Sequence, residues 1–355
     1  MKIGIVTFEF NYNYEALLQA YALVSHLKGL GHDVQILNRG WGQLPKAPQP
    51  KTLRKRISTL IGEIYTLKSI NDFRRKYLPL TEPIHSEEDL DRVSRKFDLI
   101  IVGSDQIWSE GTTRQMGCYY FADFAIRARV PVASYAASMG KDSFDVPPGL
   151  RTQIAVLLSG YTAVSCRERQ AIGVLKRLGA GSVQQVLDPT LIVNKQCFDK
   201  LTIGGDLKDF ISYYILDPSE KKKAILERVR QTMNLPTRNT YLKEYNIPIV
   251  KNKYPSVESW LSNIGQARMV VTDSFHGMVF SIIFKRNFVV IANEKRGLAR
   301  FTSLLEQIGL EDRIVKSAEE VKALCKAAID YNEVDRKLSP LVEKSRKFIT
   351  DKILN

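Results

Sequence analysis

The chain has 355 residues, 44% of them apolar and 25% charged, and carries a net charge of +14. That length accommodates two ordinary cores, and the composition is that of a globular protein rather than a disordered or fibrous one. Four scattered cysteines, Cys118, Cys166, Cys197 and Cys325, form no CxxC pair and have no histidine cluster beside them, which argues against a disulfide framework and a zinc site and suits a reducing cytoplasm.

The opening MKIGIVTFEF reads as a strand from Ile3 to Phe8, because it lacks the charged start, long apolar centre and small-residue exit of a secretory leader. No apolar run approaches transmembrane length. Glu15 to Leu30 has helical spacing through Ala16, Leu17, Ala20, Leu23, Val24 and Leu27, closed by Gly29 or Gly31, and Asp33 to Leu37 follows as a second strand. This is a βαβ opening of the doubly wound type. The loop between strand and helix, Phe8 to Tyr14, has no glycine, so a dinucleotide fingerprint is not expected here.

Residues 41–50 read as a loop. From Lys51 to Leu78 apolar residues recur every three or four positions, and eight Lys or Arg stand against Glu63 and Asp72. A basic amphipathic segment packs on its own domain with a solvated face, or lies on an anionic membrane surface. Phe97 to Val102 is a third strand that runs into Gly103-Ser104-Asp105-Gln106-Ile107-Trp108, where a glycine followed by Ser and Asp suits a ligand-facing turn or a helix cap. Strands at 130–136, 163–166 and 183–187 alternate with helices at 150–158 and 167–178.

The alternation resumes from Phe210, with helices near 218–233, 256–266, 299–308 and 318–330 and strands near 210–216, 237–242, 247–250, 268–272 and 288–292. The predicted architecture is α/β, two doubly wound domains facing a cleft. Residues 1–200 form the first, 201–335 the second, and 336–355 a helix crossing back to the first.

Chemistry concentrates at Thr272-Asp273-Ser274-Phe275-His276-Gly277, a strand end followed at once by an apolar helix. The helix start offers N–H groups and partial positive charge to an anion, and Asp273 or Ser274 suits its cap. The same field is expected to lower the His276 pKa, so that the ring becomes a general acid chiefly when an anionic ligand arrives. Asp273 is an alternative orienter of the imidazole. Arg167 leads into a helix start, where its charge opposes the dipole, so either an anion or a surface carboxylate balances it. Glu168 suits a first-turn dipole partner. Lys295, Arg296 and Arg300 complete an anion site or stay solvated.

Five segments, Gly103 to Trp108, Ser134 to Ser138, Ser165 to Glu168, Leu187 to Thr190 and Thr272 to Gly277, occur in the order seen in the polysaccharide pyruvyl transferase family, which the chain resembles from Ile3 to about Val315. The resemblance implies a GT-B-like fold and transfer of a pyruvyl group from phosphoenolpyruvate onto two hydroxyls of a sugar, giving a cyclic ketal and phosphate. It implies His276 as acid and phosphate contact, Arg167 on the donor's carboxylate or phosphate, and Asp105 near the acceptor as base. Ser104, Ser274, Gly277, Arg296 and Arg300 join Arg167 in the expected substrate-binding set.

No cofactor or metal is expected, phosphoenolpyruvate being the donor substrate. The expected acceptor is a sugar or lipid-linked oligosaccharide, and the expected location is cytoplasmic, peripheral on the inner membrane face. One departure concerns the loop Asn11-Tyr12-Asn13-Tyr14-Glu15, where many relatives carry a glycine. A nucleotide-sugar glycosyltransferase fits the same two-domain cleft. A basic nucleic-acid-binding protein fits the charge but lacks a reader motif.

Overall fold

A computed structural model describes all residues except 10–12, 40–67, 142, 205, 242, 248–249, 254 and 293–296. Two parallel sheets carry the chain. In the first, β1 (Lys2–Val6) lies between β2 (Asp33–Ile36) and β3 (Leu99–Gly103), with Ile5 opposite Ile36 on one side and Ile101 on the other. β3 pairs with β4 (Val132–Tyr135), and bridges at Ala133–Ala163 and Ala137–Cys166 carry the sheet on to β5 (Val164–Cys166) and β6 (Val183–Gln185). The β3 run LIIVG is buried at every position, as a strand covered by helices on both faces requires.

The second sheet holds β7 (Lys208–Tyr214) and β8 (Thr237–Asn239). A hairpin of β9 (Lys243–Ile247) and β10 (Val250–Lys253) stands outside it, and β11 (Ala267–Thr272), β12 (Asn287–Ile291) and β13 (Ile314–Val315) complete it in the order 8-7-11-12-13. The first sheet begins 2-1-3-4, so the strand order of each sheet reverses beside its first strand, between β1 and β3 and between β7 and β11. Ligands of open α/β sheets bind outside the carboxyl ends at such points.

The helix Tyr14–Gly29 connects β1 to β2. Asn13 caps it by accepting from Glu15 N at 2.9 Å, and Gly31 takes the left-handed turn after it at φ +87°. Its predicted apolar stripe is buried, but so are Glu15 and Gln19, which no core packing explains. Leu17 and Leu18 of this helix belong to one continuous core with Val257, Trp260 and Phe280 of the second half. Gly103 serves packing: a Cβ there would stand 2.7 Å from Leu23 Cδ2 of the same helix.

The last helix, Tyr331–Phe348, starts five residues before the predicted 336 because Asp330 caps it, accepting from Asn332 N at 3.0 Å and Glu333 N at 3.3 Å. It returns to the first half. Ser345 Oγ accepts from Leu187 N at 2.9 Å, and Arg346 donates to Ile192 O at 2.6 and 2.8 Å. Ser345→Ala leaves the buried Leu187 N–H without its partner. A loss of about 1–3 kcal/mol is expected in urea unfolding, since an orphaned donor forfeits its full desolvation cost.

Candidate active site at the facing switch points

β11 ends at Thr272, and the helix Phe275–Ile283 begins three residues later. Ser274 caps that helix, its Oγ accepting from Gly277 N at 3.1 Å. Thr272 Oγ1 tightens the corner by accepting from Ser274 N at 3.0 Å and donating to Tyr214 O at 2.8 Å. A Cβ on Gly277 would overlap that hydroxyl, so the residue is a glycine for packing, and its N–H is already committed to the cap. Asp273 neither caps the helix nor orients the ring, against both expectations. It accepts from Leu216 N at 2.6 Å, Asp217 N at 3.1 Å and Lys222 Nζ at 2.5 Å, fixing the exit of β7.

His276 is fully buried and lies between two carboxylates of the first half. Its Nδ1 stands 3.3 Å from Glu15 Oε2 and its Nε2 3.3 Å from Asp188 Oδ2. Glu15 Oε1 accepts from Ser274 Oγ. Asp188 gathers more donors: Arg167 Nη1 at 2.7 Å and Ser104 Oγ at 2.9 Å on Oδ2, with Thr190 N at 3.1 Å and Oγ1 at 2.7 Å on Oδ1.

Burial opposes charge on the His276 ring, but Asp188 and then Glu15 outweigh it and raise its pKa to about 9. Burial likewise opposes charge on both carboxylates, and the His276 ring overcomes it, holding each below its ordinary range. The expected order is therefore reversed. The ring is an imidazolium without any ligand, because two carboxylates brought from residues 15 and 188 outweigh the local helix end.

Arg167 and Arg300 are also buried, and both guanidiniums face the Phe275 ring, at 4.4 and 5.9 Å from its centroid. Among the described residues, Nε and Nη2 of Arg167 have no hydrogen-bond partner. With its amide oxygen turned toward Arg300, Gln106 accepts from Nη1 at 2.5 Å and Nη2 at 3.0 Å. Burial, and then the neighbouring Arg167, lower the Arg300 pKa to about 10. Two cations buried in each other's field form an arrangement that an anion stabilises. A small recess of about 10 Å³, room for one water, lies against them, lined by Arg167, Arg300, Asp188, Phe275, Ser303 and Gln307.

Asp105 sits at the end of β3 with φ +67°. Its Oδ1 accepts from Gln106 N at 2.8 Å, and its buried Oδ2 has no partner among the described residues. Glu168 is not a first-turn dipole partner: it occupies the cap position without bonding the helix, and its Oε1 accepts from Ser138 Oγ and, at 3.2 Å, from Gly140 N.

The structure thus brings Ser104, Arg167, Ser274 and His276 into one hydrogen-bonded network, with Arg300 sharing the Phe275 ring with Arg167. Lys295 and Arg296 lie outside the described residues, as do positions 51–67 of the basic segment. Glu15 and Asp188 are the members of this network that sequence reasoning missed. Among the described residues there is no group of three His, Cys, Asp or Glu able to hold a metal ion, and no helix long and apolar enough to cross a membrane.

Two doubly wound sheets with facing switch points make this a GT-B-like fold. It is similar to a putative UDP-N-acetylglucosamine 2-epimerase from Listeria monocytogenes, with TM-score 0.55 and 10% identity over 99% of this chain and 96% of that one. It is also similar to the UDP-GlcNAc 2-epimerase of Neisseria meningitidis bound to UDP-GlcNAc (TM-score 0.53, 11% identity, 100% of both chains) and to Anabaena HepE in complex with UDP and glucose (0.55, 9%, 100% and 99%). Comparison with curated proteins finds no match. The family model of polysaccharide pyruvyl transferases matches residues 16–295, and the chain belongs to that family.

The raised His276 pKa sets a pH dependence of stability. In the unfolded chain the ring titrates near about 6.5. Its contribution is therefore fully present below that value and is lost as pH rises through about 9. The depressed Glu15 and Asp188 act oppositely, stabilising above the ordinary carboxylate range and losing that contribution as pH falls below it. Urea melts across pH are expected to show greatest stability near about pH 5–6.5, with a fall toward pH 9 that His276→Gln abolishes.

Proposed function

We propose that the protein transfers the pyruvyl group of phosphoenolpyruvate onto two hydroxyls of a sugar in a surface polysaccharide or its lipid-linked precursor, forming a cyclic ketal and releasing phosphate. One observation carries this reading: a buried pair of guanidiniums, Arg167 and Arg300, shares the Phe275 ring beside a buried imidazolium. Phosphoenolpyruvate presents a carboxylate and a phosphate close together. Arg167 with its unpartnered Nε and Nη2, and Arg300 beside it, suit that double charge better than a single anion.

In this reading His276 gives its proton to the methylene carbon of the donor. The adjacent carbon becomes an oxocarbenium-like centre, which the first sugar hydroxyl attacks. Phosphate then leaves, and the second hydroxyl closes the ketal. Two hydroxyl protons are released. One replaces the proton delivered to carbon, and the other leaves on phosphate. Asp105, whose Oδ2 lacks a partner at the carboxyl end of β3, is the base for a hydroxyl at the acceptor side. No residue set in this scheme calls for a cofactor. The structurally similar Neisseria epimerase was solved with UDP-GlcNAc and HepE with UDP and glucose, which makes a nucleotide-linked sugar one acceptor form to supply.

Mass spectrometry after incubation with phosphoenolpyruvate and candidate glycans is expected to show the gain of one pyruvyl ketal with matching phosphate release. His276→Ala should abolish it. Arg300→Met should raise KM for phosphoenolpyruvate about 10–100-fold, the loss of one charge-assisted contact. Turnover of a nucleotide sugar without phosphoenolpyruvate would instead establish glycosyl transfer.

The proposal includes a cytoplasmic enzyme peripheral on the inner membrane face, drawn to lipid-linked acceptor through the basic segment 51–78. Vesicles containing anionic lipid are expected to bind the protein, and neutralising Arg54, Lys55 and Arg56 should weaken that binding. Equal binding by the variant would remove the membrane part of the proposal.

A further inference from the structure

We infer that Glu15 is the positioning residue of the His276 acid, holding the ring by Nδ1 so that the proton to be delivered sits on Nε2. The inference rests on the acid role assigned to His276 above. Its basis is how differently the two flanking carboxylates are engaged. Glu15 spends Oε1 on Ser274 Oγ and Oε2 on His276 Nδ1, and the Tyr214 hydroxyl of β7 also bonds its carboxylate. Ser274 in turn caps that helix through Gly277 N, so Glu15 grips ring and cap together.

Asp188 keeps Arg167, Ser104 and both donors of Thr190 when the imidazole proton turns elsewhere. Glu15 would lose its one charged partner and keep only the hydroxyls of Ser274 and Tyr214. The Nδ1 contact is therefore the fixed one and the Nε2 contact the one a substrate exchanges, a division that also defines which nitrogen carries the transferable proton.

The position of Glu15 strengthens the inference. It is the second residue of an otherwise apolar buried turn, 7% exposed, where an aliphatic residue would pack without cost. The charged groups around the ring are few. Glu15 comes from the first helix and Asp188 from the turn after β6, with Arg167 behind Asp188 at the end of β5. Arg300 adds its field to Glu15 from the helix Ala299–Ile308, and the Tyr214 hydroxyl lies on the other side of Glu15. Removing Glu15 therefore leaves the ring one carboxylate, itself shared with an arginine.

The test uses the full chain and two variants, Glu15→Gln and Glu15→Asp. NMR of the ring carbon of His276 in the free protein should show the wild-type midpoint near 9 falling toward the ordinary histidine value in Glu15→Gln. The basic limb of kcat with phosphoenolpyruvate should move acidward with it. Glu15→Gln should lose on the order of 10–100-fold in kcat with KM within about threefold, and Glu15→Asp should recover part of both. A merely structural Glu15 would lower the melting temperature of both variants yet leave the ring midpoint in place.

A folded Glu15→Gln with unchanged midpoint and unchanged basic limb would overturn the inference. If the wild type forms no ketal, the functional reading falls, and the ring titration alone decides whether Glu15 holds the imidazole.

Discussion

A charged imidazole with no access to water is the constraint on which the rest of the site depends. Burying such an ion costs several kcal/mol, and a single partner rarely recovers it. His276 has two, Glu15 on Nδ1 and Asp188 on Nε2, so both ring protons are accepted and the positive form is favoured over the neutral one. This requirement reaches far into the fold. Glu15 stands after β1, Asp188 after β6 and His276 after β11, so the two sheets have to present their carboxyl ends to each other for the three to meet. The shared core of Leu17, Trp260 and Phe280 holds them there.

Asp188 shows how one buried group serves several. As the cap of Pro189–Ile192 it bonds Thr190, and its other oxygen collects Ser104 and Arg167 along with the histidine. Arg167 spends only Nη1 on this contact, which orients the guanidinium across Phe275 and leaves Nε and Nη2 for something else. A protein that needed Arg167 only to neutralise Asp188 would have no reason to bury its remaining donors unpaired beside a second arginine. The structural and the ligand-facing sides of the arginine are thus separate parts of one side chain.

Periodicity alone located most strands and helices, because runs such as LIIVG and ARMVVT and the stripe of Tyr14–Gly29 are set by which face is buried. His276, Arg167 and Arg300 were legible as site candidates for a local reason: each sits at a strand end or helix start where a charged side chain has no packing role. Glu15 and Asp188 were not legible as partners, because each has a sufficient local explanation. Glu15 is an acidic residue in a helix's first turn, and Asp188 precedes a proline. Only the contact across 261 and 88 residues of sequence makes them partners of the ring. The sign of the His276 shift failed for the same cause. A helix end was weighed as the dominant field, and two full charges from distant segments exceed its partial one. Asp273 misled in the opposite sense, a carboxylate beside the histidine in sequence that turns away to Lys222.

The fold is shared with sugar-nucleotide enzymes at 9–11% identity, which means that almost nothing at the level of side chains is shared with them. What the fold conserves is a relation between two switch points, and what each chain adds is the chemistry placed there. In this chain the addition is charge that exists only when the halves meet. Both carboxylates that hold the ring protonated belong to the first half, and the ring belongs to the second. Any motion that parts the halves withdraws both at once, returning the imidazole to its ordinary titration and Arg167 to its contact with Asp188 alone. The raised pKa is therefore a property of the two halves meeting rather than of His276 alone.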